Sequence, residues 1–117
     1  MGVLQWVVQP LSPFTQTGVS YSAIYDVMDA QEVHGLLKVT AIVAGTLDAV
    51  MQTSVDATNW STCGTAYTQV TTTLSAAMAS QVRSASGTSI YRFVRFQYSL
   101  ATGPITFEAQ LFVKTLS

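Results

Sequence analysis

Apolar and polar residues alternate with a period of two along most of this chain, the spacing of side chains on a β-strand. Val19, Tyr21, Ala23 and Tyr25 alternate with Ser20, Ser22 and Ile24. Over 36–44 the pattern predicts a strand with Leu37, Val39, Ala41 and Val43 on one side. It continues over 47–55 after a turn at Gly45-Thr46. The C-terminal third is the most regular. There Val94, Phe96 and Tyr98 oppose Phe93, Arg95 and Gln97, and Ile105, Phe107, Ala109, Leu111 and Val113 oppose Thr106, Glu108, Gln110 and Lys114. The expected core therefore includes Val94, Phe96, Tyr98, Phe107, Ala109 and Leu111.

Punctuation separates these runs. Asp56-Ala57-Thr58-Asn59 and Thr102-Gly103-Pro104 read as turns. Residues 26–35 read as a polar connection, and 60–63 and 66–72 as short strands. Between 71 and 89 two readings stand: a short helix around Leu74, Ala76, Ala77 and Met78, or a loop with a strand near 81–83. About seven or eight short strands imply an all-β fold, an antiparallel, jelly-roll-like β-sandwich. The sandwich is expected over 21–117 as a single domain, preceded by an extended N-terminal arm over 1–20. Pro10 and Pro13 stop a helix in that arm. Its apolar residues, Trp6 and Phe14 among them, must dock on this domain or on a neighbour.

Composition changes the picture in one respect. Only 9% of residues are charged, against roughly 25% in an average soluble domain, while 49% are hydrophobic. Ser, Thr and Gln take the place of charge, which leaves a surface poorly protected against association. Five basic residues are scattered and the net charge is −1, so no basic stripe exists to bind nucleic acid. No apolar run reaches the length of a membrane span, and the first residues lack a signal-peptide pattern. Synthesis in a cytoplasm is the expectation. The single Cys63 excludes an internal disulfide.

Candidate chemistry is sparse. Asp26, Asp29, Glu32 and His34 form the one cluster of ligand-type side chains, but their spacing lacks the tight glycine-bearing turn of a Ca²⁺ loop. They are read as a solvated loop, with no metal and no cofactor. His34 is the only histidine and no Gly-x-Ser-x-Gly elbow accompanies it, so a hydrolase triad is not expected, and the chain is read as no enzyme. Cys63 is read as a buried structural thiol. Asn59-Trp60-Ser61 matches a glycosylation sequon, taken as chance without a secretory signal. Arg92 and Arg95 stand among aromatics, and two readings stand for them: pairing with carboxylates of a partner, or stems lying over the sheet. Phe112 falls on the polar face of the last strand. Trp6, Phe14, Arg92, Arg95 and Phe112 are thus the candidate partner-binding residues.

The run MQTSVDATNWS over 51–61 resembles the strand–turn–Trp hairpin of discoidin-like and related phage β-sandwich proteins. RFVRFQY over 92–98 resembles the Arg-Tyr-Val-Arg strand of that group, and the last strand, 106–114, is similar too. One departure is Ala57, where the pattern usually has Gly; a positive-φ turn would be strained there, so a different turn is expected. Trp60 is expected to plug one end of the sandwich. Within that group the chain looks like a tailed-phage capsid decoration (cement) protein. The resemblance implies a virion location on the capsid surface, with the major capsid protein and a second copy of the chain as partners. A dimer or trimer is expected, its arm crossing to a neighbouring subunit or to the coat protein. The alternatives are a carbohydrate- or receptor-binding sandwich, with Trp60 and Tyr67 as candidates, and another phage tail or coat component.

Overall fold

In the computed structural model, which describes residues 3–27 and 30–115, two antiparallel sheets pack face to face. The strands are β1 (Val3–Phe14), β2 (Gly18–Tyr21), β3 (Tyr25–Asp26), β4 (Ala30–Ile42), β5 (Gly45–Ser54), β6 (Ser61–Thr62), β7 (Val70–Thr71), β8 (Ser80–Ser86), β9 (Phe93–Thr102) and β10 (Ile105–Thr115). One helical turn, α1 (Ala76–Ala79), precedes β8, so both readings of 71–89 contribute: a short helix and then a strand. The first sheet has the order β1-β10-β4-β8. The second has the order β2-β9-β5-β6, with β3 also on β9 and β7 also on β5. The expected all-β antiparallel sandwich is the observed architecture.

The alternation explains the core. Val94, Phe96, Tyr98 and Leu100 of β9 and Ile105, Phe107, Ala109, Leu111 and Val113 of β10 are all buried between the sheets. Leu47, Ala49 and Met51 of β5 and Val33, Leu37 and Val39 of β4 join it, as do Val27, Cys63, Tyr67 and Val70. Burying one such side chain contributes about 1.5–3 kcal/mol. Phe14, Tyr98 and Phe107 meet edge to face, with ring centroids 5.3–5.7 Å apart.

Three expectations change. Residues 3–14 dock on this domain rather than crossing to a neighbour. They form the edge strand β1, paired to β10 from Val3 opposite Lys114 to Phe14 opposite Ile105. Trp6, Val8 and Phe14 pack against the core, so removing 1–14 would strip a strand from the sandwich instead of trimming an arm. Second, 30–35 are strand, not connection: β4 runs along β10 and β8 through this stretch, with Val33 and Gly35 buried. Gly35 is the signal that the polar pattern hid. A Cβ there would meet the Tyr67 hydroxyl, Met51 Sδ at 2.6 Å and Phe96 Cζ at 2.9 Å. Third, a bulge at Thr40 shifts the register, so that Thr106 faces Ala41 while Phe107 faces Val39. Ala41 and Val43 therefore point outward, and Ile42 takes the half-buried position.

The chain changes sheets twice at one corner, between β4 and β5 and between β9 and β10. The two crossings are tied together: Val43 N–H donates to Pro104 O at 3.1 Å and Gly103 N–H to Ala44 O at 3.0 Å. Gly45 is required at this corner, because at φ +80° its Cβ would collide with the Ala101 carbonyl.

Candidate functional site

The outer face of the second sheet carries the most elaborate cluster of half-buried and exposed side chains. Outward residues of β9 alternate with the buried ones, which places Arg95 and Gln97 in adjacent rows. Arg95 lies opposite Gln52 of β5, and Gln97 opposite both Val50 of β5 and Tyr21 of β2. The Arg95 guanidinium sits between two rings, 3.9 Å from the Tyr21 centroid and 4.0 Å from that of Trp60. Its Nε–H donates to Gln52 Oε1 at 2.9 Å, and Gln52 Nε2 donates in turn to Gln97 Oε1 at 3.3 Å. Gln97 also lines a shallow groove of about 180 Å³, together with Asp48, Val50, Ser99 and Tyr67. That is smaller than the roughly 300–1,000 Å³ of pockets that enclose a drug-sized ligand. Asp48 is held there by Gln69 Nε2 at 3.1 Å.

The turn before Trp60 delivers its ring to this face, not to an end of the sandwich. Asp56 Oδ1 accepts from the N–H groups of Thr58 and Asn59, both at 2.9 Å, and Oδ2 accepts from Asn59 Nδ2 at 2.9 Å. Ser54 Oγ donates to Oδ1 at 2.9 Å. These bonds, led by the backbone N–H of Asn59 and then of Thr58, hold the Asp56 carboxyl far below the usual carboxylate range. Ala57 adopts φ +61° here, so the strained turn is kept despite the missing glycine.

The other candidate residues have different fates. Trp6 and Phe14 lean on this chain's own core, with Trp6 5.2 Å from the Tyr25 ring and Phe14 5.3 Å from Phe107. Arg92 forms an exposed pair with Asp26 at 2.9 Å, and that hydrogen-bonded carboxylate raises its pKa. Phe112 is half-buried on the outer face of the first sheet, between Gln5 and His34, as the alternation implied. The structure does not bring the five together. Tyr21, Gln52 and Gln97, which complete the cluster around Arg95, were not singled out from the sequence. The signals available were an Arg in an aromatic strand and a Trp just after an Asp-x-x-Asn turn.

The acidic cluster does not converge either. Glu32 pairs with Lys114 at 3.4 Å, Asp26 with Arg92, and Asp29 lies outside the described residues. Among the described residues no group of three or more His, Cys, Asp or Glu side chains is placed to hold a metal ion. Cys63 is fully buried, and burial pushes its thiol up to about 11, the environment of an inert thiol. Tyr67 is also buried, donating to Gly35 O at 2.6 Å, so its ring is not a surface platform. No helix among the described residues is long and apolar enough to cross a membrane.

No family model and no curated protein matches this sequence. Solved structures do match. The PBSX exported protein XepA superposes with a TM-score of 0.64 at 16% identity, over 97% of this chain. The chain spans 38% of XepA. The SPBc2 prophage-derived protein YomS gives a TM-score of 0.56 at 7% identity, over 96% of this chain and 92% of its own. A chain of the disulfide-linked pili of Bacillus endospore appendages gives 0.53 at 17% identity, over 98% and 89%. At these identities the likeness is one of fold.

Proposed function

We propose that this chain is a structural virion protein that decorates the outer surface of a phage head, bound to the major capsid protein and to further copies of itself as a dimer or trimer. The observation that carries this reading is the nature of the sandwich edges. β1 and β2 flank the two sheets, and residues 3–25, which include both, hold no charged side chain. Val3, Val7 and Leu11 of β1 and Val19 and Tyr21 of β2 are exposed. Isolated soluble domains usually blunt such edges with charge, whereas an uncharged edge invites another strand or another subunit. Pro10, Pro13 and the register shifts between Val7 and Gln9 and between Gln9 and Ser12 leave 3–7 as the unprotected part of β1. The fold likeness to the PBSX exported protein XepA and to a prophage-derived protein supports a phage setting. Cosedimentation with decoration-free heads tests the reading: retention at a fixed copy number per capsomer is expected, and a protein left wholly in the supernatant overturns it.

A second reading is favoured by one observation, the Tyr21 and Trp60 rings beside a groove lined by Asp48, Gln97 and Ser99. It makes the chain a carbohydrate- or receptor-binding module. Binding on a glycan array without retention on heads would select it.

A further inference from the structure

We propose that the outer face of the second sheet is a protein-docking surface, and that Arg95 is its recognition point, receiving a carboxylate side chain of the partner. This deepens the assembly reading and rests on it. The case begins with how the cations are used. Arg92 and Lys114 are paired with Asp26 and Glu32. Arg83 donates to Ala66 O, Val82 O, Thr68 Oγ1 and Gln81 Oε1. Arg95, like Arg83 and Lys38, has no carboxylate in an ion pair with it among the described residues, but unlike Arg83 it makes a single hydrogen bond, from Nε, and unlike Lys38 it is held between two rings. Neither terminal nitrogen is buried without a partner, and no hydrogen bond among the described residues engages either one.

The side chain is nevertheless fixed. Tyr21 and Trp60 hold the guanidinium between them, and Gln52, itself braced by Gln97, anchors Nε. An exposed arginine ordinarily keeps most of its rotamer freedom and loses it on binding. Here that ordering is already made in the free chain. What remains is the flat end of the fork, two parallel N–H groups that match the two oxygens of a carboxylate.

The surroundings favour a polypeptide as the source of that carboxylate. Trp, Tyr and Arg are the residue types over-represented where binding energy concentrates in protein interfaces, and this cluster includes one of each beside Gln52 and Gln97. The guanidinium lies against both rings, so a sugar ring cannot stack on the faces it covers. The adjoining groove of about 180 Å³ has room for a small neighbouring side chain against Val50 and Ser99.

The test titrates the purified, isotope-labelled full chain with poly-L-glutamate at low salt, and in parallel with hyaluronan as a carboxylated sugar. The Arg95 Nε–H and Trp60 indole resonances are expected to shift with poly-L-glutamate while the Trp6 indole stays still. Arg95→Lys keeps the charge and loses the fork, and at least a tenfold weaker affinity is expected. Arg92→Gln is expected to bind within twofold of the parent. Unchanged affinity in Arg95→Lys, or equal loss in Arg92→Gln, overturns the proposal. Binding of hyaluronan without binding of poly-L-glutamate also overturns it, in favour of an acidic glycan. The two readings fail separately: poly-L-glutamate binding without retention on heads removes the virion role and leaves the site, and head retention that survives Arg95→Lys does the reverse.

Discussion

The two faces of strand β9 divide the molecule's work. Inward, Val94, Phe96, Tyr98 and Leu100 are at most 2% exposed and meet a complementary row from β10 and β5. Outward, Phe93, Arg95, Gln97 and Ser99 are only partly covered, and what covers Arg95 comes from β2 and from the turn before β6. The inner face holds the fold through close packing, so any change of volume is felt there. The outer face holds one side chain in one orientation at little cost to stability. A strand of this kind can change what it presents without changing what it supports.

That contrast can be broken by substitution. The largest effect is expected at Phe96→Ala, a loss of about 3–5 kcal/mol in denaturant unfolding, from lost burial and the cavity left behind. A loss below about 1 kcal/mol would mean that Phe96 is not a core residue. Gly35→Ala drives a methyl into Tyr67, Met51 and Phe96 from the opposite sheet, and a loss of about 1–3 kcal/mol is expected. Ala57→Gly relieves the left-handed backbone in the turn that positions Trp60, and a gain of about 1 kcal/mol is expected. Arg95→Gln is expected to change stability by less than about 1 kcal/mol, since its ring contacts are at the surface. A larger loss would make Arg95 part of the fold and erase the distinction between the faces.

The smallest effect concerns pH. The Asp56 carboxyl titrates lower in the folded chain than in the unfolded one, so its stabilisation is complete above the ordinary carboxylate value of about 4 and is lost as pH falls through the depressed native value. Asp56→Asn is expected to lose the corresponding slope in stability below about pH 4, measured by denaturant midpoints. An unchanged slope would mean that the turn does not retain its carboxylate bonds in solution.

The inner face was legible because a period of two needs only the strand itself to be read. All six core residues expected from β9 and β10 are buried. The bulge at Thr40 was not legible, since alternation reads straight through it and only the pairing with β10 reveals the extra residue. The first half of β4 was hidden by its own polar outer face, where Glu32 and His34 point away from the core. Residues 3–14 carried the extended pattern but not the identity of their partner, which is a strand at the far end of the described chain. At the candidate site, Arg95 and Trp60 attracted attention as residue types. Tyr21, Gln52 and Gln97 could not, because strand order and register alone put them beside Arg95.

The pairing of β1 with β10 also has a temporal side. During translation β1 emerges before its partner has been made, and roughly a hundred residues must be added before the two can meet, about 5–20 s at ordinary elongation rates. Through that interval Val3, Leu4, Trp6, Val7 and Val8 stand next to one another with no strand beside them and no charge to keep another nascent chain away. The sandwich therefore closes late, by a contact between distant parts of the chain, the slow class of folding event. Crowded polysomes making many copies at once would be the setting in which this chain most needs a holding chaperone.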